Sequence, residues 1–566
     1  MKFRFRSHDH IGAADAESDQ AFLRECFIDT GEIDFLLDCD DHRRIVLGRT
    51  GAGKTALLTR LSERTSGGVI NIKPESLALA YISNSTILQF VNELGVNLDT
   101  FFKLLWRHVF TVEVIKAHFH LDSAGTKEGL VDWIRTQFSD KKRQHEKALA
   151  YLEQWGSKFW EQTDYRIEEL TTKLESDLKA SISSVLPVAK MTLGGAQALS
   201  QEEKGAVVER AKYVVNQVQI QELTYVLELL DSILDDPQKK YYVVIDRLDE
   251  NWVEEGLRYL LIRALIETVR DFRRVRHAKI IIALRYDLLD RVLRVSRGGG
   301  FQEEKYESLY VDLRWSKEQL TKLLDTRIRR MVRQQYTSKE VTHADVLPRL
   351  INKTPTMDYI LARTLLRPRD VILFFNACIR QAQGNPQITP QMLKEAEGEY
   401  SRLRLRSLAD EWSADYPFLM SFIDILKGRS AQFPLGSISN DECVGLAIRL
   451  LEQQLPDEEL LNAVKGVDKD PGNTGGLRRC IAALLYRVGV VGLKLEKFES
   501  VAWSTSGRRS ISISEMGPEV KISVHPCFWR SLGINPEIRG HIEEVRLPPS
   551  CITAEVSPFP SKFSEG

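Results

Sequence analysis

The chain has 566 residues, 43% apolar and 28% charged, the balance of an ordinary globular protein with room for two or more domains. Lys plus Arg (78) nearly cancels Asp plus Glu (79), so no global charge draws it to nucleic acid or an anionic membrane; such binding would need a local patch. Seven scattered cysteines without a CxxC pair fit reduced thiols better than a disulfide or zinc framework, and neither a signal-type apolar segment nor an apolar run of about 18 residues occurs. The expectation is a soluble cytoplasmic protein with no membrane partner.

In chain order, "AESDQAFLRECFID" reads as a short amphipathic helix. "RRIVL" then gives a strand, "GRTGAGK" a glycine-rich loop, "TALLTRL" a helix and "GGVINIKP" a second strand. From 84 to 236 the pattern is helical. Ile167, Leu170, Leu174, Leu178, Ile182 and Val185 recur at intervals of three and four, a break falls at "LPVAKMTLGG" (186–195), and "QIQELTYVLELLDSILDD" resumes the pattern. This suggests a helical hairpin, with a partner-binding coiled arm as the alternative.

"YYVVI" is a strand of five apolar residues, followed by a helix over 256–273, the strand "AKIIIALR" (278–285) and the strand-like "SLYVDL". Residues 316–412 are helical. Over 440–535 three helices precede alternating segments around "STSGRR", the pattern of a winged helix, and the tail 541–566 has the composition of disorder.

Gly48, Arg49, Thr50, Gly51, Ala52, Gly53, Lys54 and Thr55 match G-x-x-x-x-G-K-[ST] between a strand and a helix. Glycines let the backbone wrap phosphates with its N–H groups, helped by the positive end of the following helix. Lys54 is then the residue for the β- and γ-phosphates and Thr55 the hydroxyl for Mg²⁺, with Ala56 opening the helix beside them. In this setting the acids that cap "YYVVI" acquire a purpose. Asp246 is placed to face Mg²⁺ from the side opposite Thr55. Asp249 and Glu250 are candidates to activate water; spacing does not separate them, and Glu250 is favoured with Asp249 in a supporting or shared role.

Arg285 closes the next strand, where it would stabilise transition-state charge or pair with Asp287. Arg367 and Arg369 in "LLRPRDVILFFN" stand before a helix, and Arg369 is the candidate to reach nucleotide from the helical lid. Arg291, Arg294 and Arg297 form a basic segment. Arg478, Arg479, Arg508 and Arg509 would be the DNA-phosphate contacts of a winged helix, and His525 reads as a packed histidine.

"GRTGAGKT", "VVIDRLDE" and "IIALRYD", followed by a helical lid and winged helix, resemble STAND/AAA+-type P-loop ATPases. "IDRLDENW", "VDLRW", "RPRD" and "VHPCFW" are similar to bacterial NACHT/KAP-related members. That resemblance implies an α/β P-loop NTPase core with a parallel sheet, a large helical insertion, a helical lid and a C-terminal winged-helix domain. The boundaries would be 1–83 and 237–315 for the core, 84–236 for the insertion, 316–425 for the lid and 426–540 for the winged helix. It also implies ATP and Mg²⁺ as ligands, slow hydrolysis, and a homo-oligomeric switch acting on an effector protein in conflict or phage-defence systems. A DNA-associated ATPase is the alternative. Arg247 stands where NACHT proteins prefer a small residue.

Overall fold

The computed structural model describes residues 3–65, 68–76, 86–119, 163–183, 199–216, 227, 230–231, 234, 236–250, 252–296, 302, 304–333, 340–413, 415–453, 455, 457–496, 498–504 and 511–536. Arg297, Arg508, Arg509, Val185, the break at 186–195, most of "QIQELTYVLELLDSILDD" and the tail 541–566 lie outside them. The chain divides into two compact units, one of residues 29–314 and one joining 1–28 to 315–566.

The first unit is built on a five-stranded parallel sheet. Its strands are β1 (Ile45–Leu47), β2 (Val69–Ile72), β3 (Tyr241–Ile245), β4 (Ala278–Leu284) and β5 (Tyr310–Asp312), in the order β2-β3-β4-β1-β5. Every residue of β3 and β4 is buried. A parallel strand covered on both faces needs a continuous apolar run rather than alternation, and "YYVVI" and "IIIAL" supply it. Ile72, Ile245, Ile282, Ile45 and Tyr310 align as one row across the sheet. The segments that follow β1, β2 and β3 therefore emerge along one edge. Gly68, just before β2, permits close pairing, because a Cβ there would stand 2.2 Å from the Lys240 carbonyl oxygen.

The helices of this unit named below are α1 (Glu32–Leu37), α2 (Lys54–Arg64), α3 (Asp99–Phe119), α4 (Glu255–Asp271) and α5 (Tyr286–Ser296). Within 84–236 the described segments 86–93, 99–119, 163–183 and 201–216 are helical. Leu174, Leu178 and Ile182 from the apolar stripe are buried.

At the opposite edge of the sheet, Lys279 and Tyr242 on the strands and Arg44 just before β1 hold the end of α1 and the two residues after it. Lys279 Nζ donates to the carbonyls of Phe35 (2.7 Å) and Asp38 (2.6 Å), Tyr242 to Leu37 (2.6 Å), and Arg44 to Cys39 (3.2 Å). A helix leaves its last carbonyls without intrahelical partners, and these donors satisfy them. Lys279 is fully buried, and burial, aided by Arg44, brings its pKa down to about 8.

In the second unit, α6 (Lys317–Arg333), α7 (Pro368–Gln381) and α8 (Pro390–Glu411) form a helical layer. The first 28 residues, read from sequence with the ATPase core, are pinned to it instead. Buried Arg327 donates to the Ile11 carbonyl (2.8 Å) and to Asp19 (2.5 Å), and Asn376 bonds the backbone of Ile11 and Gly12, both at 2.9 Å. The all-helical expectation for 316–412 also needs correcting. A two-residue ribbon joins β6 (Leu350–Ile351) to β7 (Thr354–Pro355), with Asn352 and Lys353 at φ 49° and 70°. Two successive positive φ values are what a tight hairpin turn requires.

Beyond this layer, β8 (Gln432–Pro434), α9 (Asn440–Leu451), α10 (Glu458–Lys469), α11 (Gly475–Val488), β9 (Val491–Lys494) and β10 (Lys521–Val524) follow in order. The sheet is antiparallel, β8-β10-β9. Helix α11 buries nine of its fourteen residues, so it is a core helix rather than an exposed one. His525 is buried, accepts from the Cys527 N–H and packs edge-on to Trp503, the packed role read from its context.

Lys279 gives the fold a testable pH signature. Between about pH 8 and its ordinary value of 10.5 the unfolded chain holds this proton and the folded chain does not, so stability rises with pH across that window. Urea midpoints measured from pH 7.5 to 10 should rise more steeply in the parent than in Lys279→Met; equal slopes would remove Lys279 as the cause.

Candidate nucleotide site

The glycine-rich loop leaves β1 and turns into α2. Gly51 and Gly53 take φ values of 78° and 99°, in the left-handed region where a side chain would be strained. The Ala52 N–H closes a turn on the Arg49 carbonyl at 3.1 Å, and the Gly48 N–H bonds the Leu284 carbonyl at 3.3 Å, anchoring the loop to β4. Lys54 folds over the loop and donates to the carbonyls of Gly48 (3.0 Å) and Arg49 (3.2 Å). Burial lowers its pKa, while Asp246 and Asp249 oppose that shift. The result is an ammonium short of hydration at the mouth of an amide-lined loop, a setting that favours an anion.

At the next residue, the Thr55 hydroxyl donates to Asp246 Oδ2 at 2.7 Å, across 191 positions of sequence. This hydroxyl and carboxylate are hard oxygen donors side by side, a set that fits Mg²⁺. Among the described residues no three or more His, Cys, Asp or Glu side chains gather as a metal cage. Mg²⁺ is commonly held without one, by one or two carboxylates with substrate phosphates and water completing the shell.

The acidic turn after β3 is held at several points. Arg247 has φ 59°, and its N–H donates to Asp246 Oδ1 at 2.8 Å. A left-handed conformation costs a residue with a Cβ roughly 1–2 kcal/mol, a cost that only glycine would avoid at this position. Asp249 accepts from Arg285 Nη1 at 3.0 Å, while the same guanidinium grips Asp287 in a fork at 3.0 and 2.7 Å. The pairing with Asp287 read as one alternative for Arg285 is present, and the same side chain also reaches Asp249. Glu250 lies 3.7 Å from the Arg247 guanidinium. Its carboxyl is raised above the ordinary value, first by desolvation and then by a hydrogen bond with Glu75, with Arg247 working against both.

Glu75 and Arg258 were not singled out in the sequence. Glu75 follows β2, and Ile72 is in register with Ile245, so the ends of β2 and β3 bring Glu75 to Glu250. Arg258 sits in the first turns of α4 and donates to the Glu250 carbonyl at 3.1 Å and the Asp249 carbonyl at 3.4 Å. Only knowledge of strand order would have suggested the first, and nothing in the local pattern marks the second.

Other cations have local assignments. Arg369 belongs to the second unit, where its Nε donates to the Ala14 carbonyl at 3.0 Å. Beside it Arg367 is buried against Asp370. Burial alone would raise that carboxyl, but Arg367 and Arg404 prevail and hold it at about 2. Arg291 bonds the Tyr259 hydroxyl and Arg294 pairs with Asp290. Arg478 donates to Asn440 at 2.8 Å.

Comparison with known proteins adds three similarities. Residues 318–409 match a family model described as the FunZ-associated C-terminal helical domain, a stretch covering α7 and nearly all of α6 and α8. An 80.3 kDa protein of Escherichia coli (strain K12), named for transposon gamma-delta, is 22% identical over 549 residues, spanning 93% of this chain and 67% of that protein. A solved Walker-type ATPase of Pyrococcus abyssi aligns over 82% of this chain and 98% of its own, at 13% identity and a TM-score of 0.31. At that TM-score the likeness carries no weight for fold or activity.

The loop geometry makes a direct binding prediction. Lys54→Ala should weaken MgATP binding by about 100-fold or more in equilibrium titration, the loss of a charge-assisted contact worth about 3 kcal/mol, with the thermal melting profile retained. An unchanged affinity would show that this loop is not the phosphate site.

Proposed function

We propose that the protein is a Mg²⁺-dependent ATPase that works as a molecular switch, its nucleotide state controlling assembly or activation of a partner effector. The observation that carries this reading is the 2.7 Å contact between Thr55 and Asp246, beside the loop that Lys54 covers. ATP would lie along Gly48–Ala56, with its terminal phosphates facing Lys54. Mg²⁺, held by Thr55 and Asp246, would neutralise charge on the β- and γ-phosphates.

Glu250 then takes the proton from the attacking water. Two features favour it over Asp249: the Asp249 carboxylate is held by Arg285 at 3.0 Å, against 3.7 Å from Glu250 to Arg247, and the raised Glu250 carboxyl lies closer to working pH, where a general base is most effective. Arg285, between Asp249 and Asp287, is placed to respond to a γ-phosphate by exchanging one carboxylate for it. A homo-oligomeric assembly and a role in bacterial antiviral defence rest on the resemblance of the motifs.

The second reading is a DNA-associated ATPase, favoured by the transposon named in the E. coli relative. Against a groove-reading helix stands the burial of α11, which leaves its arginines little exposed face. DNA contact would then fall to Arg508 and Arg509. If that reading holds, hydrolysis is stimulated by duplex DNA at low salt, and charge reversal at both arginines abolishes the stimulation. Hydrolysis indifferent to DNA supports the effector-switch reading.

Two measurements test the assignment of the base. Glu250→Gln should bind MgATP with parental affinity and lose turnover by about 100-fold or more, in the range removal of a general base costs; normal turnover would move the role to Asp249. Glu75→Gln removes one of the causes that raise Glu250, the largest being desolvation, so the acid limb of the kcat profile should shift to lower pH. An unmoved limb would mean that Glu250 is not the titrating group.

A further inference from the structure

The acidic turn 246–250 is fixed by its main chain as well as by its side chains, and the residue that fixes it most firmly is Arg258. This arginine is 7% exposed, and its Nη1 lies between the carbonyls of Glu250 (3.1 Å) and Asp249 (3.4 Å). A second anchor lies beside it, where the buried Trp252 indole N–H donates to the Leu248 carbonyl at 3.1 Å. Three successive carbonyls, 248 to 250, are therefore held by donors from the start of α4 and the segment just before it. The orientation of those peptides determines where the Asp249 and Glu250 side chains leave the chain.

Helix α4 is itself held in place. It lies parallel to α3, with charged pairs at a constant spacing: Asp99 with Arg263 (3.1 Å), Lys103 with Glu267, and Arg107 with Asp271 (2.5 Å). Each step is four residues on both helices, so one face of α3 meets one face of α4 turn after turn. Trp106 of α3 donates to the Leu261 carbonyl at 2.9 Å and packs edge-on to Trp252, with ring centroids 6.5 Å apart. Helix α3, from the long helical segment, thus supports both anchors of the acidic turn.

We propose that Arg258 is a positioning residue for hydrolysis, holding the Asp249–Glu250 peptides so that the water-activating carboxylate points at the γ-phosphate, with α3 and α4 as the rigid base from which it acts. This rests on the ATPase reading above. Both bonds leave one guanidinium nitrogen, Nη1, whose two hydrogens are fixed in the plane of the group, whereas an ammonium turns freely at the end of a flexible stem. Misplacing a reacting group by about 1 Å can cost on the order of 100-fold in rate.

The test is Arg258→Lys in the full chain, with kcat and the equilibrium affinity for MgATP measured on the same preparation. The expected result is a loss of kcat of about 100-fold, with ATP affinity within about twofold of the parent, because Arg258 contacts the turn and not the phosphate loop. Arg258→Gln, a neutral side chain with one amide donor group, gives the same comparison should the lysine variant fail to fold. A kcat within about twofold of the parent, or a parallel loss of ATP binding, overturns the proposal. Lys54→Ala is run alongside: if it hydrolyses ATP like the parent, the ATPase reading has failed; if it is inactive while Arg258→Lys is not, only the positioning role has failed.

Discussion

The hydrogen bond from Thr55 to Asp246 joins two segments whose proximity gives the first unit its chemical meaning. Thr55 follows the glycine-rich loop after β1, and Asp246 ends β3, with β4 lying between these strands in the sheet. A hydroxyl reaches a carboxylate across that gap because every strand is parallel and the loop swings over the edge of β4, tied there by the Gly48–Leu284 backbone bond. If the order of the sheet changed, the pair would part and the hard-oxygen site would be lost.

Around this contact the charges are arranged so that few are neutralised in isolation. Lys54 is desolvated over carbonyls, Arg285 is shared between Asp249 and Asp287, and Glu250 faces both Glu75 and Arg247. In the proposed ATPase, each would give up a partner to the incoming polyanion and its metal. The opposite edge of the sheet behaves differently. There Lys279, Tyr242 and Arg44 donate to the carbonyls of one helix end and the two residues after it.

Much of this was legible in the residues, for identifiable reasons. A strand buried on both faces must be apolar throughout, so β3 and β4 stood out, and a phosphate loop needs glycines at fixed places, so 48–55 did as well. Asp246 followed from its position one residue past a buried strand. The turn at Asn352 and Lys353 was missed because neither residue carries the glycine that usually marks left-handed backbone. Glu75 and Arg258 were hidden for a different reason: each matters through a partner more than 150 positions away or through backbone carbonyls, and neither leaves a periodic trace. The attachment of the first 28 residues to the C-terminal unit turns on the buried Arg327–Asp19 pair, another contact that only the folded chain brings together.

The central claim is that Thr55 and Asp246 together hold the divalent ion of a nucleoside triphosphate, and Mn²⁺ in place of Mg²⁺ reports on it directly. Electron paramagnetic resonance of Mn²⁺ titrated into the protein with a non-hydrolysable ATP analogue should show a tightly bound, nucleotide-dependent ion in the parent. In Asp246→Asn that signal should revert to the spectrum of the Mn²⁺–nucleotide complex free in solution. The same bound spectrum in parent and variant would contradict the account.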